Sequence, residues 1–420
     1  MLKKISEYTL TIRAKPLLQC NSKHPINCSK FIVTMNHPWP VYTKRKNEHD
    51  DNIEMKKPRI KKKMYAILLA YCGQGYLGLQ RNMGAKTIEE ELMLALKKID
   101  VVNEEEFLKQ QLINFQRAAR TDKGVSAIRQ VLNLSMREGV IANDINEYLP
   151  EQIRILDIKR VTKGFNSKNS CDARTYSYTC PSFAFAPKHI KPSEEYRIND
   201  EIMENLNKWT KYFEGTHNFH NFTSGRKPYD PSCSRHILQT EWKKPIVKDG
   251  IEFITFFVKG QSFMLHQIRK MVGTLMAVSR GYIEPNFIIK AYDPKECIQL
   301  PVAPGLGLLL EQVHYDWYNK KYGDNGFHEK LDFVDVEHLV QEFKEKLIYP
   351  VIIKAEKEEK LMLTYLDTLD LHFEEYHAMG NVSKIEDFSN KEMIEVKCDN
   401  EENFDEDDNV NNDKKINANI

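Results

Sequence analysis

Two runs of the same kind lie on either side of about residue 172, and together they restrict the fold more than any other feature. In the first, Tyr65-Ala66-Ile67-Leu68-Leu69-Ala70-Tyr71 is a continuous apolar stretch, the mark of a strand buried on both faces. A helix follows over 88–99, because Ile88, Leu92, Ala95 and Ile99 recur at helical spacing behind the box Thr87-Ile88-Glu89-Glu90. Leu112-Ile113-Asn114-Phe115 and Val131-Leu132-Asn133-Leu134 alternate as strands do, and Ile153–Val161 reads as another. In the second run, Arg174-Thr175-Tyr176-Ser177-Tyr178 alternates. Ile202, Leu206, Trp209 and Phe213 form a helix that Gly215 stops, and Ile251–Lys259 is a strand. A further helix is expected from about Phe263 to Ser279, before a last strand ending at His314. The reading is an α+β fold of two similar halves, 64–171 and 172–324.

Both ends fall outside this pattern. Residues 1–63 carry 15 Lys/Arg against 5 Asp/Glu, and residues 385–420 carry 4 against 12. The net charge of +1 therefore hides a basic leader and an acidic tail around a near-neutral body. Residues 1–47 contain a single acid, Glu7, the make-up of a mitochondrial transit peptide or of an ordinary disordered leader. Lys44-Arg45-Lys46 and Lys56-Lys57-Pro58-Arg59-Ile60-Lys61-Lys62-Lys63 are basic clusters of nuclear-localisation type, equally able to touch RNA phosphates. Nucleus and mitochondrion are the compartments expected, with Met35 a second start that would omit the leader. Residues 325–384 hold helical patterns such as Val336, Leu339, Val340 and Phe343, and 385–420 read as disordered.

The eight cysteines are scattered without Cys-x-x-Cys or Cys/His metal spacing, so they read as reduced thiols and no metal is expected. No apolar run approaches the ~20 residues of a membrane helix. The glycine-rich turn Cys72–Arg81 lacks the Gly-Lys-Ser/Thr of a nucleotide-hydrolysing loop. No cofactor is expected.

Chemistry concentrates at Arg117-Ala-Ala-Arg120-Thr-Asp122-Lys-Gly124-Val-Ser-Ala127, a charged turn between two strands with one carboxylate among Arg120, Lys123 and Gly124. Cations around Asp122 should hold its pKa low, as a nucleophile or electrostatic stabiliser requires. Taken alone, Arg-Thr-Asp reads equally well as a solvated Asx-type turn. Arg269 lies midway along an otherwise apolar helix, so an acidic partner is expected for it, or else a snorkelling side chain. Thr216–Thr223, rich in aromatics and amides, suits RNA stacking or a self-satisfied loop.

The stretch Arg120–Ala127 resembles the signature loop of the TruA family of tRNA pseudouridine synthases, in its eukaryotic branch. Ordered matches recur at Tyr71–Asn82, Gly164–Tyr178, Gly215–Thr223, Lys259–Gly273 and Ala303–His314, so the likeness runs from about Tyr65 to Pro350. The resemblance implies a mixed, mainly antiparallel central sheet shared by the two halves, helices outside it, a catalytic cleft between the halves, and a C-terminal helical extension. It implies an RNA isomerase that turns uridine into pseudouridine in tRNA anticodon stem-loops and in messenger or other structured RNA. By resemblance, Asp122 is the catalytic carboxylate, Arg269 its ion-pair partner, and Tyr176 a general base or sugar contact. Arg120 fills the helix when the uridine flips out, Phe263 and His266 line the cleft, and Gly307 and Leu308 flank the flipped base. The eukaryotic branch further implies a monomer. The readings weighed against an isomerase are a catalytically idle RNA-binding protein and a hydrolytic glycosidase, which would want paired acids.

Overall fold

The computed structural model describes residues 61–382, so the leader, save Lys61–Lys63, and the acidic tail lie outside the described residues. Ten strands form one sheet: β1 (Lys63–Tyr71), β2 (Gln116–Arg117), β3 (Ser126–Met136), β4 (Ile153–Arg160), β5 (Ala173–Pro181), β6 (Gly215–Asn218), β7 (Ser234–Trp242), β8 (Ile246–Lys248), β9 (Ile251–Gly260) and β10 (Leu308–His314). Their order is β4-β1-β3-β10-β5-β9-β7-β6, with β2 on β3 and β8 on β9. Every pairing is antiparallel except β3 with β10, where Leu309 faces Ser126 and Leu310 faces Ala127. This short parallel seam joins the halves: β4, β1 and β3 come from the first, β10, β5, β9, β7 and β6 from the second. The sheet is mixed and mainly antiparallel, as expected.

β1 is buried as its composition demands; Ile67, Leu68, Leu69 and Ala70 are wholly inaccessible. The helix Ile88–Lys98 turns Ile88, Leu92, Met93 and Leu96 into the core, each large side chain stabilising by about 1.5–3 kcal/mol. Thr87 caps it by accepting from the Glu90 N–H. The reciprocal half of the box is missing, because the Glu90 carboxylate pairs with Arg81 instead. In the second half the helix Asp200–Thr210, capped by Asn199, buries Leu206 and Thr210.

Two expectations change and one open alternative is decided. Leu112–Phe115 is no strand: Gln110–Ile113 is a 3-10 turn, Asn114 takes φ +53°, and only Gln116–Arg117 pairs with β3. Buried Ile113 and Phe115 imitate strand alternation, while Asn tolerates the left-handed turn between them. The third helix begins at Gln267, not Phe263, because His266 sits at φ +60° and interrupts it. The aromatic segment Thr216–Thr223 is a satisfied one: Thr216–Asn218 pairs with β7, Phe219 and Phe222 are wholly buried, and Asn221 bonds to Ala291, Glu296 and Ile298. Stacking on RNA is not open to those rings.

The C-terminal helices Glu337–Phe343, Tyr349–Lys354 and Leu361–Val382 dock on the core through Val340, Phe343, Ile352, Leu366 and Leu369. Buried Lys344 donates to Glu311 on β10 at 2.6 Å, and Ser177 donates to the same oxygen. The segment is thereby tied to β10 and its neighbour β5, by a charge pair whose disruption would leave a buried charge unpaired.

Candidate active site

The segment Ala118–Val125 connects β2 to β3 and is clasped from four directions. The Gln130 side chain, fully buried on β3, accepts from the Ala119 N–H (3.2 Å) and donates to its carbonyl (2.8 Å), a side chain standing in for a strand. Arg174 on β5 donates to the Ala118 carbonyl through Nη2 (2.8 Å) and Nε (3.2 Å). The Tyr71 hydroxyl at the end of β1 meets Thr121 Oγ1 at 2.8 Å. At the loop's base, Arg117 pairs with Glu89, which is wholly buried; burial lifts the Glu89 carboxyl and Arg117 pulls it back.

The glycine-rich turn after β1 forms the fourth clasp. Leu79 N–H donates to the Thr121 carbonyl (3.1 Å), Gly124 N–H to the Tyr76 carbonyl (3.3 Å), and Gly73 N–H to Ser126 Oγ (3.0 Å). The two backbones lie so close that a Cβ on Gly73 would stand 2.3 Å from the Val125 carbonyl oxygen. Gly73→Ala is therefore expected to push the loop aside, lowering kcat by about 10²-fold, the loss typical of a 1 Å misplacement. A variant retaining wild-type kcat in a steady-state assay would contradict this.

Asp122 projects from this clasped loop next to the parallel seam. Its side chain is 34% exposed, and His266 Nε2 lies 3.9 Å from its Oδ2. Burial is the largest influence and pushes the carboxyl above its ordinary value, against the lowering pull of His266 and Arg269. This reverses the sequence expectation of a low pKa, because the loop is enclosed by both halves and loses more hydration than the cations return. Arg120 and Lys123, which made the loop look like a bath of cations, are exposed.

Arg269, on the first turn of the helix Gln267–Arg280, donates through Nε to the Ala303 carbonyl (2.6 Å), and Ala303 N–H returns a bond to the Arg269 carbonyl. Its charge acts on Asp122 through space; among the described residues the basic side chain within 4 Å of Asp122 is His266, an ion pair when its ring is protonated. Tyr176 on β5 is 7% exposed and meets Phe263 edge-on, with centroids 5.3 Å apart. Burial first, and Asp122 among the neighbours, pushes its phenol up, so in this state it is a hydrogen-bond donor rather than a base. Gly307 lies against β5, where a Cβ would stand 2.5 Å from the Thr179 carbonyl, and it places Leu308 at the start of β10. Asp122, Tyr176, Phe263, His266 and Arg269 are thus brought together, while Gly307 and Leu308 lie against Tyr178 and Thr179 of β5.

The sequence reading missed the anchors Gln130 and Glu89, placed Tyr71 along the cleft by resemblance without its bond to Thr121, and put Arg174 on a strand face without a role. The Arg-x-Tyr-x-Tyr spacing was the signal for Arg174; nothing local marks Gln130.

Among the described residues no group of three His, Cys, Asp or Glu side chains could hold a metal ion. His217 stacks on Tyr292 while His220 reaches the Glu296 carbonyl. No helix of the described residues is long and apolar enough to cross a membrane. A cavity of about 680 Å³ lies elsewhere, lined by Arg160, Thr162, Tyr322, Phe327 and His328. It is at the far end of β4 from the strand end nearest the clasped loop.

Residues 210–316 match the family model described as tRNA pseudouridine synthase. The mouse Pseudouridylate synthase 1 homolog is 46% identical over 327 residues, 77% of each chain. The human Pseudouridylate synthase 1 homolog is 48% identical over 311 residues, 73% of each. A Candida albicans tRNA pseudouridine synthase 1 is 31% identical over 413 residues, covering 76% of this chain and 67% of the relative. Likeness of this degree across most of both chains, on a fold that clasps one carboxylate at the seam of two halves, makes the conclusion direct: the chain belongs to the tRNA pseudouridine synthase family of isomerases.

Proposed function

We propose that this chain converts uridines of tRNA anticodon stem-loops, and of messenger or other structured RNA, to pseudouridine, with Asp122 as the nucleophile. The observation that carries the reading is the Asp122 carboxylate itself, held by a loop clasped on four sides and faced by His266 and the Arg269 charge. The reaction breaks the bond from sugar C1′ to uracil N1, rotates the base and joins C1′ to C5. The C5 proton is lost and N1 gains one, so atoms balance without oxidant, energy source or cofactor. Asp122 supplies a persistent carboxylate to the sugar or to the uracil ring. Arg269 holds that charge, and Tyr176 is either the sugar contact, as its protonated phenol suits, or the general base if bound substrate lowers its pKa. Arg120, exposed two residues before Asp122, fills the gap in the helix when the uridine leaves its stack, an exchange that otherwise costs a few kcal/mol.

Purified protein incubated with uridine-labelled tRNA should yield pseudouridine. Release of free uracil would make it a glycosidase, and no product in the presence of binding would make it an idle RNA-binding protein. Either result overturns the reading. The protein is further proposed to act as a monomer; a mass by light scattering near 49.2 kDa, rather than twice that, is the check. Delivery to mitochondria from Met1 and to the nucleus from Met35 is proposed from composition alone. A fluorescent fusion beginning at Met35 that still entered mitochondria would refute it.

A further inference from the structure

Lys270 is a buried cation that the proposed reaction does not use. It is 7% exposed, one residue beyond Arg269 on the helix Gln267–Arg280. Among the described residues no carboxylate pairs with it; its Nζ donates to the Asn221 carbonyl (3.1 Å) and the Thr223 carbonyl (2.7 Å). Burial alone brings its ammonium down to about 8. A buried lysine without an acid is rare, because desolvating the charge is costly. It also sits in the first turn of a helix, where the macrodipole disfavours a cation. Two penalties point to a task worth more than both.

The geometry identifies that task. The Asn221–Thr223 turn is rigid: the Asn221 side chain donates to the Ala291 and Glu296 carbonyls and accepts from Ile298 N–H. From this fixed turn, two ties reach the segment in front of the helix. One is Lys270; the other is Thr223 Oγ1, which donates to the Leu265 carbonyl (3.0 Å). They bracket His266, whose backbone lies in the left-handed region at φ +60°. Histidine enters that region more readily than most side chains, but still at a conformational cost that neighbouring contacts must offset. Gln267 completes the bracket by accepting from Met264 N–H (2.9 Å), and Lys270 N–H caps the turn at the His266 carbonyl (2.9 Å).

We propose that Lys270 is a positioning residue: together with Thr223 it clamps the left-handed turn at His266 to the Asn221–Thr223 support, and so sets where His266 and Arg269 stand relative to Asp122. The ammonium suits the position because it has three donors and no acceptor, and both its partners here are carbonyl oxygens. This rests on the reading of Asp122, His266 and Arg269 as the reactive centre.

The test uses the full chain with tRNA substrate. Lys270→Met keeps the stem's length and removes both donated bonds. Its kcat should fall about tenfold or more, as expected when reactive groups are misplaced by a fraction of an ångström, while KM for tRNA stays within about twofold. The thermal midpoint should hold, since the variant also removes a buried charge. Wild-type kcat in Lys270→Met overturns the proposal. So does a kcat that recovers fully on cooling in a variant with a lowered midpoint, which would make Lys270 a fold residue only. Should Lys270→Met fail to fold, Thr223→Val removes the second tie and leaves Lys270 intact. It should lower kcat about threefold or more with KM unchanged, and wild-type kcat there overturns the clamp. Pseudouridine formation by the wild type and its loss in Asp122→Asn are measured alongside. If that pair of results fails, the reading of the centre is wrong; if it holds and the Lys270 and Thr223 variants behave as wild type, the clamp alone is wrong.

Discussion

Asp122→Asn is expected to abolish pseudouridine formation, lowering kcat by about 10⁴-fold or more, and to leave tRNA binding and folding in place. The size follows from the role proposed: an amide keeps the shape but offers no nucleophilic oxygen charge, and losing a nucleophile costs nearly the whole chemical step. Stability should move the other way. Burial lifts the Asp122 carboxyl above its ordinary value, so the unfolded chain releases this proton at a lower pH than the folded one. Between those two values the folded state binds more protons, and stability contributed by this group falls as pH rises. At neutral pH the wild type carries a partly buried charge that the Asn variant lacks. Its thermal midpoint should therefore equal or exceed that of wild type at neutral pH, the difference fading below the ordinary carboxylate range. With a third of the side chain open to water, the gain is small. Substantial pseudouridine formation by Asp122→Asn, on any RNA that the wild type modifies, would remove Asp122 as nucleophile. A clearly lower midpoint would instead reject the account of its burial.

Arg269 variants should give the second largest loss, and their pH profiles should identify its cause. In this state Arg269 holds the Ala303 carbonyl with Nε and keeps its charge toward Asp122. A guanidinium can do both because its donors are spread over a rigid plane; an ammonium is one point at the end of a flexible stem. Arg269→Lys should lower kcat about 10²-fold and Arg269→Ala about 10³-fold. Removing the cation also removes one of the two influences that hold the Asp122 carboxyl down. The acid limb of the kcat profile, where Asp122 must lose its proton, should then shift to higher pH in Arg269→Ala. An unmoved limb, or a kcat within tenfold of wild type, would show that Arg269 serves only to hold the 301–307 loop.

Much of the secondary structure was legible from local pattern. The apolar run 65–71 had to be a buried strand. The spacing of Ile88, Leu92 and Ala95 had to be a helix, ending at Lys98 rather than Ile99. Such periodicity belongs to a few consecutive residues, and no distant contact is needed to read it. The same local view failed at 112–115, where burial of Ile113 and Phe115 comes from a turn, and at 263–266, where a left-handed histidine delays the helix. Phe219 and Phe222 have the composition of a stacking surface, and only packing revealed that they face the core.

The sequence by itself determined the two-part α+β plan, the charged turn with one carboxylate, and the presence of Tyr176 and Arg269 on a strand and a helix. It could not determine which groups would meet Asp122, because those groups come from segments 54 to 147 positions downstream and are brought together by a single parallel pairing, Leu309–Leu310 against Ser126–Ala127. The anchors Gln130, Arg174 and Glu89 act on backbone or on a distant arginine, and a side chain bonded to a remote carbonyl leaves no periodic trace. The ionisation of Asp122 was misread for the same reason. Charge is written in the sequence, whereas desolvation depends on how closely both halves pack around the loop, and here burial outweighs the cations.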